Sequence, residues 1–307
     1  GLDLSMFSNR FHLNFDYYHK RTDPLIATIK MPSSMGVTSR RANIGIQVDQ
    51  GFNGSLSYAF LYNPKKGINY TMSVNFRYGK AYYDKIGHNL DQYNKENIAK
   101  NMVRYYDGGS PTALWAVRSR GIDPATGKEI FVRKDGVLTH DFSYDEEVEV
   151  GDSRPTLEGV WGNTLYYKGF SASVQIRYSF GADAFNSTLF NKVENISSSN
   201  ITTNQDKRAL YDRWKKPGDK AQFKGISLSD YTPMSSRFVM KENYISIESV
   251  RLGYTFDSQW LKRNLKISSL NVNAYMNSIA RFSTLEDERG LYYPFARNIS
   301  LSIGLIL

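Results

Sequence analysis

The sequence predicts an all-β fold, part of a transmembrane antiparallel β-barrel with long extracellular loops. Apolar and polar side chains alternate over long stretches, and the connections between these stretches are alternately short and long. Tyrosine is abundant, with 22 among 307 residues, and aromatic residues suit strands and membrane interfaces. The mean hydropathy of −0.48 is that of a soluble protein. It does not exclude a barrel, because a barrel strand averages one apolar and one polar face.

The stretch 10–22 illustrates the predicted strands. Phe11, Leu13 and Phe15 fall on one face of an extended chain, and His12 and Asn14 fall on the other, as a period of two requires. About 13 residues at roughly 3.3 Å each, tilted by about 45°, rise roughly 30 Å, the thickness of a bilayer core. Because strands of soluble proteins usually have about 5–6 residues, length favours a barrel over a β-sandwich.

The same alternation predicts nine strands. Their ranges are 1–7, 10–22, 43–61, 68–80, 156–167, 170–180, 244–256, 267–279 and 296–307. Tyrosines near the strand ends are expected to form interfacial girdles. They are Tyr17, Tyr18, Tyr58, Tyr62, Tyr70, Tyr78, Tyr166, Tyr167, Tyr178 and Tyr254. The polar faces carry Arg77, Arg177 and Arg251. We expect these arginines to face the lumen, where they contact a plug or cargo or form ion pairs within the wall.

Short and long connections alternate, as periplasmic turns and outside loops do in outer-membrane barrels. Tight turns are predicted at 8–9, 63–67 and 167–169, and long connections at 22–42, 81–155, 181–243 and 280–296. The connection 257–266 should be periplasmic but has about ten residues, and we expect a short helix through Trp260 and Leu261,.

Nine is an odd number, whereas bacterial single-chain barrels have even numbers of strands. The sequence also opens without the basic and apolar segments of a signal peptide,. We therefore expect residues 1–307 to be the C-terminal part of a larger barrel, with a plug and further strands upstream.

The long connections contain the remaining candidates for function. A helix is predicted over 91–106, and 121–129 reads as a turn that closes a β-hairpin,. An acidic run within 145–152 could bind Ca²⁺, but it lacks the order of a calcium loop, so a solvated surface is the preferred interpretation. Six loop aromatics are candidates for stacking on sugars or clamping a peptide, although packing within the loops is preferred for any single ring. They are Tyr105, Tyr106, Trp115, Tyr211, Trp214 and Tyr231.

Several classes of site are not expected. The chain has no cysteine, and its four histidines lack ligand-like spacing, so no metal site or cofactor is predicted beyond the possible Ca²⁺. The net charge of +9 is spread along the chain rather than clustered, which disfavours nucleic-acid binding. No catalytic motif emerges, so an enzyme is not expected.

Several stretches resemble the SusC/RagA family of TonB-linked outer-membrane transporters, in the family's order. They are GLD at 1–3, DYYHKRT at 16–22, SRGIDPATG at 119–127, GNTLYYKGF at 162–170, RWKKPGD at 213–219, SRF at 236–238 with LGY at 252–254, and YPFAR at 293–297. Two features depart from the family: the chain ends in Leu307 rather than an aromatic residue, and 43–51 lacks the usual GxxxNKGxE pattern.

The resemblance implies a barrel of roughly 22 strands around a plug, in the outer membrane of a Gram-negative bacterium, in contact with lipid and lipopolysaccharide. It implies a nutrient importer for glycans or oligopeptides, capped by a SusD-like lipoprotein and energised by TonB through an N-terminal part outside this chain. Dimers of transporter–lid pairs are also consistent with it. Two alternatives stay open at this point: a passive porin or surface adhesin built on a barrel, and a soluble carbohydrate-binding β-sandwich.

Overall fold

In a computed structural model of the chain, residues 1–31, 33–202, 206–227, 230–285 and 297–306 are described. The strands are β1 (Leu2–Met6), β2 (Phe11–Lys30), β3 (Ser39–Asn63), β4 (Ile68–Asp84), β5 (Ala113–Ile122), β6 (Glu129–Val132), β7 (Leu138–Thr139), β8 (Glu147–Asp152), β9 (Leu157–Tyr167), β10 (Phe170–Phe185), β11 (Val239–Phe256), β12 (Ser269–Ser283) and β13 (Ile299–Ile306). Helix α1 spans Asp91–Asn97, and short helical turns span Ser33–Met35, Pro64–Lys66, Tyr144–Glu146, Leu189–Glu194, Ser198–Asn200, Lys207–Leu210, Ser236–Phe238 and Leu261–Leu265.

Nine strands form one antiparallel sheet in the order β1-β2-β3-β4-β9-β10-β11-β12-β13, which we call the wall. They are the nine strands that alternation predicts, and each pairs with its predicted neighbours. Among the described residues the wall is a single layer, without the facing second sheet of a β-sandwich,. The predicted barrel portion is confirmed, and the soluble sandwich is not the fold.

Several wall strands are longer than predicted at the end opposite the tight turns. The structure pairs β2 with β3 as far as Lys30 and Ser39, so the predicted long connection over 22–42 is wrong. In the added part of β3 the alternation fails, because the consecutive residues Arg40 and Arg41 are both exposed, whereas burial alternates from Ile44 to Val48. Alternation of apolar and polar residues identifies only the part of a strand that has one face toward an apolar environment and the other toward a polar one.

The short connections are tight turns, as predicted. Phe7, Ser8 and Asn9 adopt positive φ between β1 and β2. Between β3 and β4, the Asn63 side chain accepts a hydrogen bond from the Lys66 amide at 3.1 Å, and Gly67 takes φ 63°. The predicted short helix in 257–266 is confirmed as the turn Leu261–Leu265.

The outward face of the wall carries two aromatic bands. The lower girdle, near the tight turns, comprises Tyr58, Phe60, Tyr70, Tyr167, Phe170, Tyr254 and Phe256, and the upper girdle comprises Tyr17, Phe52, Tyr78, Tyr178, Phe180 and Phe282. From Phe170 to Phe180 a strand advances roughly 33 Å, which is roughly 25 Å of height at a tilt of about 40°. This is the apolar band of a membrane barrel.

Three tyrosines predicted for the girdles lie elsewhere. Tyr18 pairs with Gly51, Tyr62 with Asn69, and Tyr166 with both Asn69 and Ser171, so all three are in register with the polar face. The Tyr18 hydroxyl donates to Asp49 Oδ1 at 3.2 Å. The prediction placed these rings in the membrane interface because of their residue type alone. The strand register decides which face of the wall each ring occupies.

The connections above the upper girdle pack against one another. The described residues of 85–156 and 186–238, which we call the loop layer, include a four-stranded sheet in the order β7-β6-β5-β8. A bridge between Val117 and Ser235 joins the two connections, and buried side chains of both form hydrophobic clusters. One cluster contains Leu189, Phe190, Val193, Phe223 and Phe238, and another contains Met102, Leu114 and Ala116. The loop layer therefore has its own core.

The helix predicted over 91–106 is shorter in the structure, because α1 ends at Asn97. The side chain of Asn94 donates to the Tyr105 carbonyl at 2.9 Å and accepts from the Tyr105 amide at 3.0 Å. Arg104 donates to the Ile98 carbonyl at 2.8 Å. These contacts fold residues after 97 back over the helix, and tertiary bonding overrides helix propensity.

Candidate functional site

Two of the family-like stretches meet in the loop layer. The hairpin turn predicted at 121–129 is confirmed, and its Pro124 carbonyl accepts bonds from Trp214 Nε1 at 2.9 Å and from the Gly218 amide at 2.8 Å. Gly127 has φ 72°, and a Cβ there would lie 2.5 Å from the Trp214 ring. The glycine gives both the left-handed turn and the space for the indole.

The stretch at 236–238 joins the same assembly. Ser236 Oγ accepts from the Ser119 amide at 2.9 Å. Arg237 forms ion pairs with Glu129 at 3.0 Å and with Glu194 at 2.6 Å. Arg237 thereby ties the β5–β6 hairpin to the helical turn Leu189–Glu194.

The ion pairs of Arg237 are buried. The Glu194 side chain is fully buried and that of Arg237 is 11% exposed. Burial acts to lower the pKa of Arg237, but its bonds to Glu194 and its attraction to Glu129 outweigh this and raise it. Ser235 donates to Glu129 at 2.6 Å, and Thr232 donates to Glu194 at 3.0 Å. Both carboxylates therefore have a hydroxyl partner as well as the guanidinium, whereas the buried Arg237 Nε has no hydrogen-bond partner among the described residues.

A cleft of about 580 Å³ lies beside this cluster, between the β5–β6 hairpin, the segment around 220–223 and the start of β11. Apolar side chains line its floor: Ile122, Leu189, Phe223, Phe238 and Met240. Arg120 and Lys220 also line the cleft, and both are exposed. The sequence motifs around Arg120 and Arg237 pointed to this region, but the cleft was not predicted, because it forms only when three connections meet.

The six loop aromatics do not gather into one site. Tyr106 and Trp115 are in contact, with ring centroids 4.7 Å apart, and Tyr105 packs against Tyr93 at 5.5 Å. Trp214 is held on the hairpin turn, as described above. Tyr211 and Tyr231 remain 63% and 70% exposed. A role of these rings in contacting cargo stays a prediction.

The three polar-face arginines bind other wall residues. Arg77 lies 3.8 Å from Glu158, and Arg177 lies 3.4 Å from Glu248. Arg251 donates to Asn273 Oδ1 at 2.9 Å. The contacts of Arg77 and Arg177 are ion pairs within the wall, whereas Arg251 bonds to a neutral amide. A role of these arginines in contacting a plug or cargo stays a prediction.

The sequence analysis missed two further ion pairs. Within the wall, Arg281 pairs with Glu242 at 2.5 Å, and Arg154 of the loop layer pairs with Asp49 of β3 at 3.1 Å. The partners are far apart in sequence, so these pairs become visible only once the strands and connections are placed in space.

The acidic run is not simply a solvated surface. Glu147 forms an ion pair with Arg104 at 2.8 Å, and its side chain is 10% exposed. Burial raises the pKa of Glu147, although Arg104 opposes this. Glu146 accepts from the Lys134 amide at 2.6 Å. The described ranges contain no group of three or more residues suited to hold a metal ion, and none of their helices is long and apolar enough to cross a membrane.

Known proteins resemble the chain in sequence. It is 24% identical to TonB-dependent receptor P39 of Formosa agariphila, over 93% of this chain and 31% of that protein. It is 23% identical to TonB-dependent receptor SusC of Bacteroides thetaiotaomicron, over 100% of this chain and 31% of that protein. No family model matches.

Solved structures resemble the fold. The structure of the RagAB peptide transporter superimposes with a TM-score of 0.75 and 20% identity, over 92% of this chain and 30% of that chain. The chain is a SusC/RagA-like barrel portion. This SusC/RagA-like chain spans about a third of the length of its curated relatives. Those relatives are named as receptors rather than enzymes, which is consistent with the expectation that the chain is not an enzyme.

Proposed function

We propose that this SusC/RagA-like chain forms part of the wall and the outer loops of an importer that takes up nutrients across the outer membrane of a Gram-negative bacterium. The observation that carries the proposal is the wall itself. One antiparallel sheet has an apolar outward face of membrane height between two aromatic girdles. Its likeness to TonB-dependent receptors supports transport rather than a merely structural role.

The two faces of the wall have different tasks in this proposal. The apolar face contacts lipid, and the polar face lines the passage for cargo. Paired charges such as Arg77 with Glu158 and Arg177 with Glu248 keep that face polar while neutralising one another. A lumen surface of this kind stays wetted without trapping a charged cargo by a strong single-sign field.

The loop layer is proposed to support a SusD-like lipoprotein lid, and TonB is proposed to supply energy through a part of the protein outside this chain. Buried ion pairs and a core of its own give the loop layer a defined outer surface. The cargo is a glycan or an oligopeptide. The likeness to SusC supports a SusD-like lid, and the likeness to TonB-dependent receptors supports TonB as the energy source. Pairing of two transporter–lid units belongs to the same proposal.

Uptake in the native bacterium tests the function. Labelled oligosaccharides and oligopeptides are offered to the wild type, to a strain lacking this protein and to a strain lacking TonB. We expect uptake of one cargo class to fall at least about tenfold in both mutants, as befits an energised step rather than diffusion. A lipoprotein should co-purify with the protein from the wild type.

The same experiment separates the alternatives. Uptake that needs this protein but persists without TonB identifies a passive porin. Normal uptake in both mutants, with loss of attachment to surfaces in the strain lacking this protein, identifies an adhesin. Either result would overturn the importer.

A further inference from the structure

The cleft in the loop layer continues the polar face of the wall. In β11, Met240, Glu242 and Tyr244 alternate along one face, in register with Ala184, Ala182 and Ser179 of β10. Glu242 belongs to that polar face, since it pairs with Arg281 there. Met240, which lines the cleft, is therefore the next side chain along the face proposed to line the passage.

The floor of the cleft is apolar. Ile122 is 8% exposed, Phe223 is 6% exposed and Phe238 is 1% exposed, so only their edges meet the opening. Phe238 also lies under the Arg237 guanidinium, 4.5 Å from its ring centroid. A volume of about 580 Å³ is within the range of ligand sites. An apolar side chain gains more from such a floor than a sugar does, because no broad ring face is free for stacking.

The rim of the cleft is basic. Arg120 is the extra residue of a β-bulge, since Ser119 pairs with Phe131 and Gly121 pairs with Ile130. Bulges re-aim side chains next to binding sites. Lys220 lies on another connection lining the cleft. Among the residues that the structure describes, neither cation has an ion-pair partner.

The acidic groups nearby are already engaged. Glu129 and Glu194 both bind Arg237. Asp219, next to Lys220 in sequence, accepts bonds from the amides of Lys215 and Lys216 at 3.0 Å each. These bonds hold the Asp219 carboxylate at the amides of Lys215 and Lys216, and no described carboxylate forms an ion pair with Arg120 or Lys220.

We propose that the cleft binds an acidic peptide segment of the cargo, with an apolar side chain on the floor and a carboxylate at Arg120 and Lys220. This inference rests on the proposed import function and selects the peptide from its two cargo classes. Guanidinium and ammonium groups bind carboxylates through charge-assisted hydrogen bonds, and the apolar floor adds burial. A neutral glycan uses neither feature.

Direct binding to the purified full-length protein, in detergent and with its natural partner, tests the inference. The probes are a hexapeptide of alternating Leu and Asp with blocked ends, the same peptide with Asn for Asp, and maltohexaose. We expect the Asp peptide to bind at least about tenfold more tightly than the Asn peptide in low salt, with the advantage shrinking near 0.5 M salt as charges are screened. Maltohexaose should not displace it.

Matched variants place the site. Arg120→Gln with Lys220→Gln should reduce the affinity for the Asp peptide to that for the Asn peptide, whereas Lys216→Gln, an exposed lysine outside the cleft lining, should leave it unchanged. Met240→Ser should weaken the binding of both peptides, because it removes part of the apolar floor. Equal binding of the two peptides, an unaffected double variant or displacement by maltohexaose would each overturn the inference.

Two further outcomes are distinguishable. If the double variant loses its lipoprotein but keeps its preference for the Asp peptide, the cleft is a partner surface and the inference is wrong. If peptide binding is absent while TonB-dependent uptake persists, the inference fails and the importer stands. If uptake is independent of TonB, the proposed function fails whatever the cleft binds.

Discussion

The wall and the loop layer treat the same residue types in opposite ways. In the wall, Leu301 is 76% exposed and Phe282 is 66% exposed, whereas Phe238 in the loop layer is 1% exposed. The exposure of ion-paired arginines differs in the same direction. The Arg177 side chain in the wall is 50% exposed, and the Arg104 side chain in the loop layer is 1% exposed. The apolar side chains of the wall face lipid and need no further burial. The loop layer is surrounded by water, so its apolar side chains must be buried against one another.

This difference teaches where specific side-chain bonds matter. A lipid-facing residue needs only to be apolar, because hydrocarbon accepts any apolar shape. A buried residue of the loop layer needs a partner of fitting shape or opposite charge. Substitutions should therefore be tolerated according to region rather than residue type.

The largest effect is expected from removing the central cation of the loop layer. Arg237→Met removes the ion-pair partner that the buried Glu129 and Glu194 share, which should cost roughly 3–5 kcal/mol of stability. The wall control, Arg177→Met, removes a half-exposed pair and should cost about 0–1 kcal/mol. Urea unfolding followed by tryptophan fluorescence, with limited proteolysis of the loops, measures both. Equal costs would remove the distinction between the two regions.

A matched pair of leucines tests which surface meets lipid. Leu301 in β13 and Leu210 in the loop layer are 76% and 66% exposed. Leu301→Arg should cost roughly 2–4 kcal/mol, because it places a cation in the apolar band. Leu210→Arg should stay within about 0.5 kcal/mol, because its surroundings are aqueous. Folding yield and unfolding in phospholipid vesicles report the difference, and a harmless Leu301→Arg would contradict the assignment of the outward face.

Two glycines separate backbone strain from packing in the loop layer. Gly127→Ala meets both a positive φ and the Trp214 ring, whereas Gly136→Ala meets a φ of 87° with nothing within 4 Å. Backbone strain alone should lower the stability by about 1–2 kcal/mol at each position. Gly127→Ala should lower it further, because the new methyl group also meets the Trp214 ring. Thermal unfolding of the loop layer compares them. A smaller loss for Gly127→Ala would show that the indole moves aside easily.

The smallest effect concerns pH. The Ala125 amide and the Thr126 hydroxyl donate to Asp123 and lower its pKa. Since the folded pKa lies below the unfolded value of about 3.9, the contribution of Asp123 is present above that value and is lost as the pH falls through the folded pKa. Pepsin cleavage within 121–129 should therefore accelerate as the pH falls below about 4. Asp123→Asn should remove this acceleration, and an identical profile in the variant would refute the assignment.

Much of the wall was predictable from particular residues. Alternation along Phe11, Leu13 and Phe15 marks β2, and Asn63 with Gly67 marks the turn before β4. The hairpin at 121–129 was predictable because Asp, Pro and Gly have local turn preferences. The length of α1 was not predictable, since Asn94 and Arg104 end it through contacts that propensity does not contain.

The cleft and the buried charge cluster were beyond the sequence. Glu129, Glu194 and Arg237 lie on three separate segments, and no spacing rule connects them. The loop aromatics were candidates for binding cargo because of their ring chemistry, yet the Trp214 indole bonds to the Pro124 carbonyl and stabilises the hairpin turn. Such assignments need distances between segments.

By itself, the sequence determined the number, order and membrane-facing pattern of the wall strands, because a strand between lipid and water must repeat every two residues. Only the tertiary structure decided which face each tyrosine occupies, which charges pair across strands and where the loops enclose a cleft. Those features depend on register and on contacts between distant segments, where the free energy comes from neighbours that the local sequence does not specify.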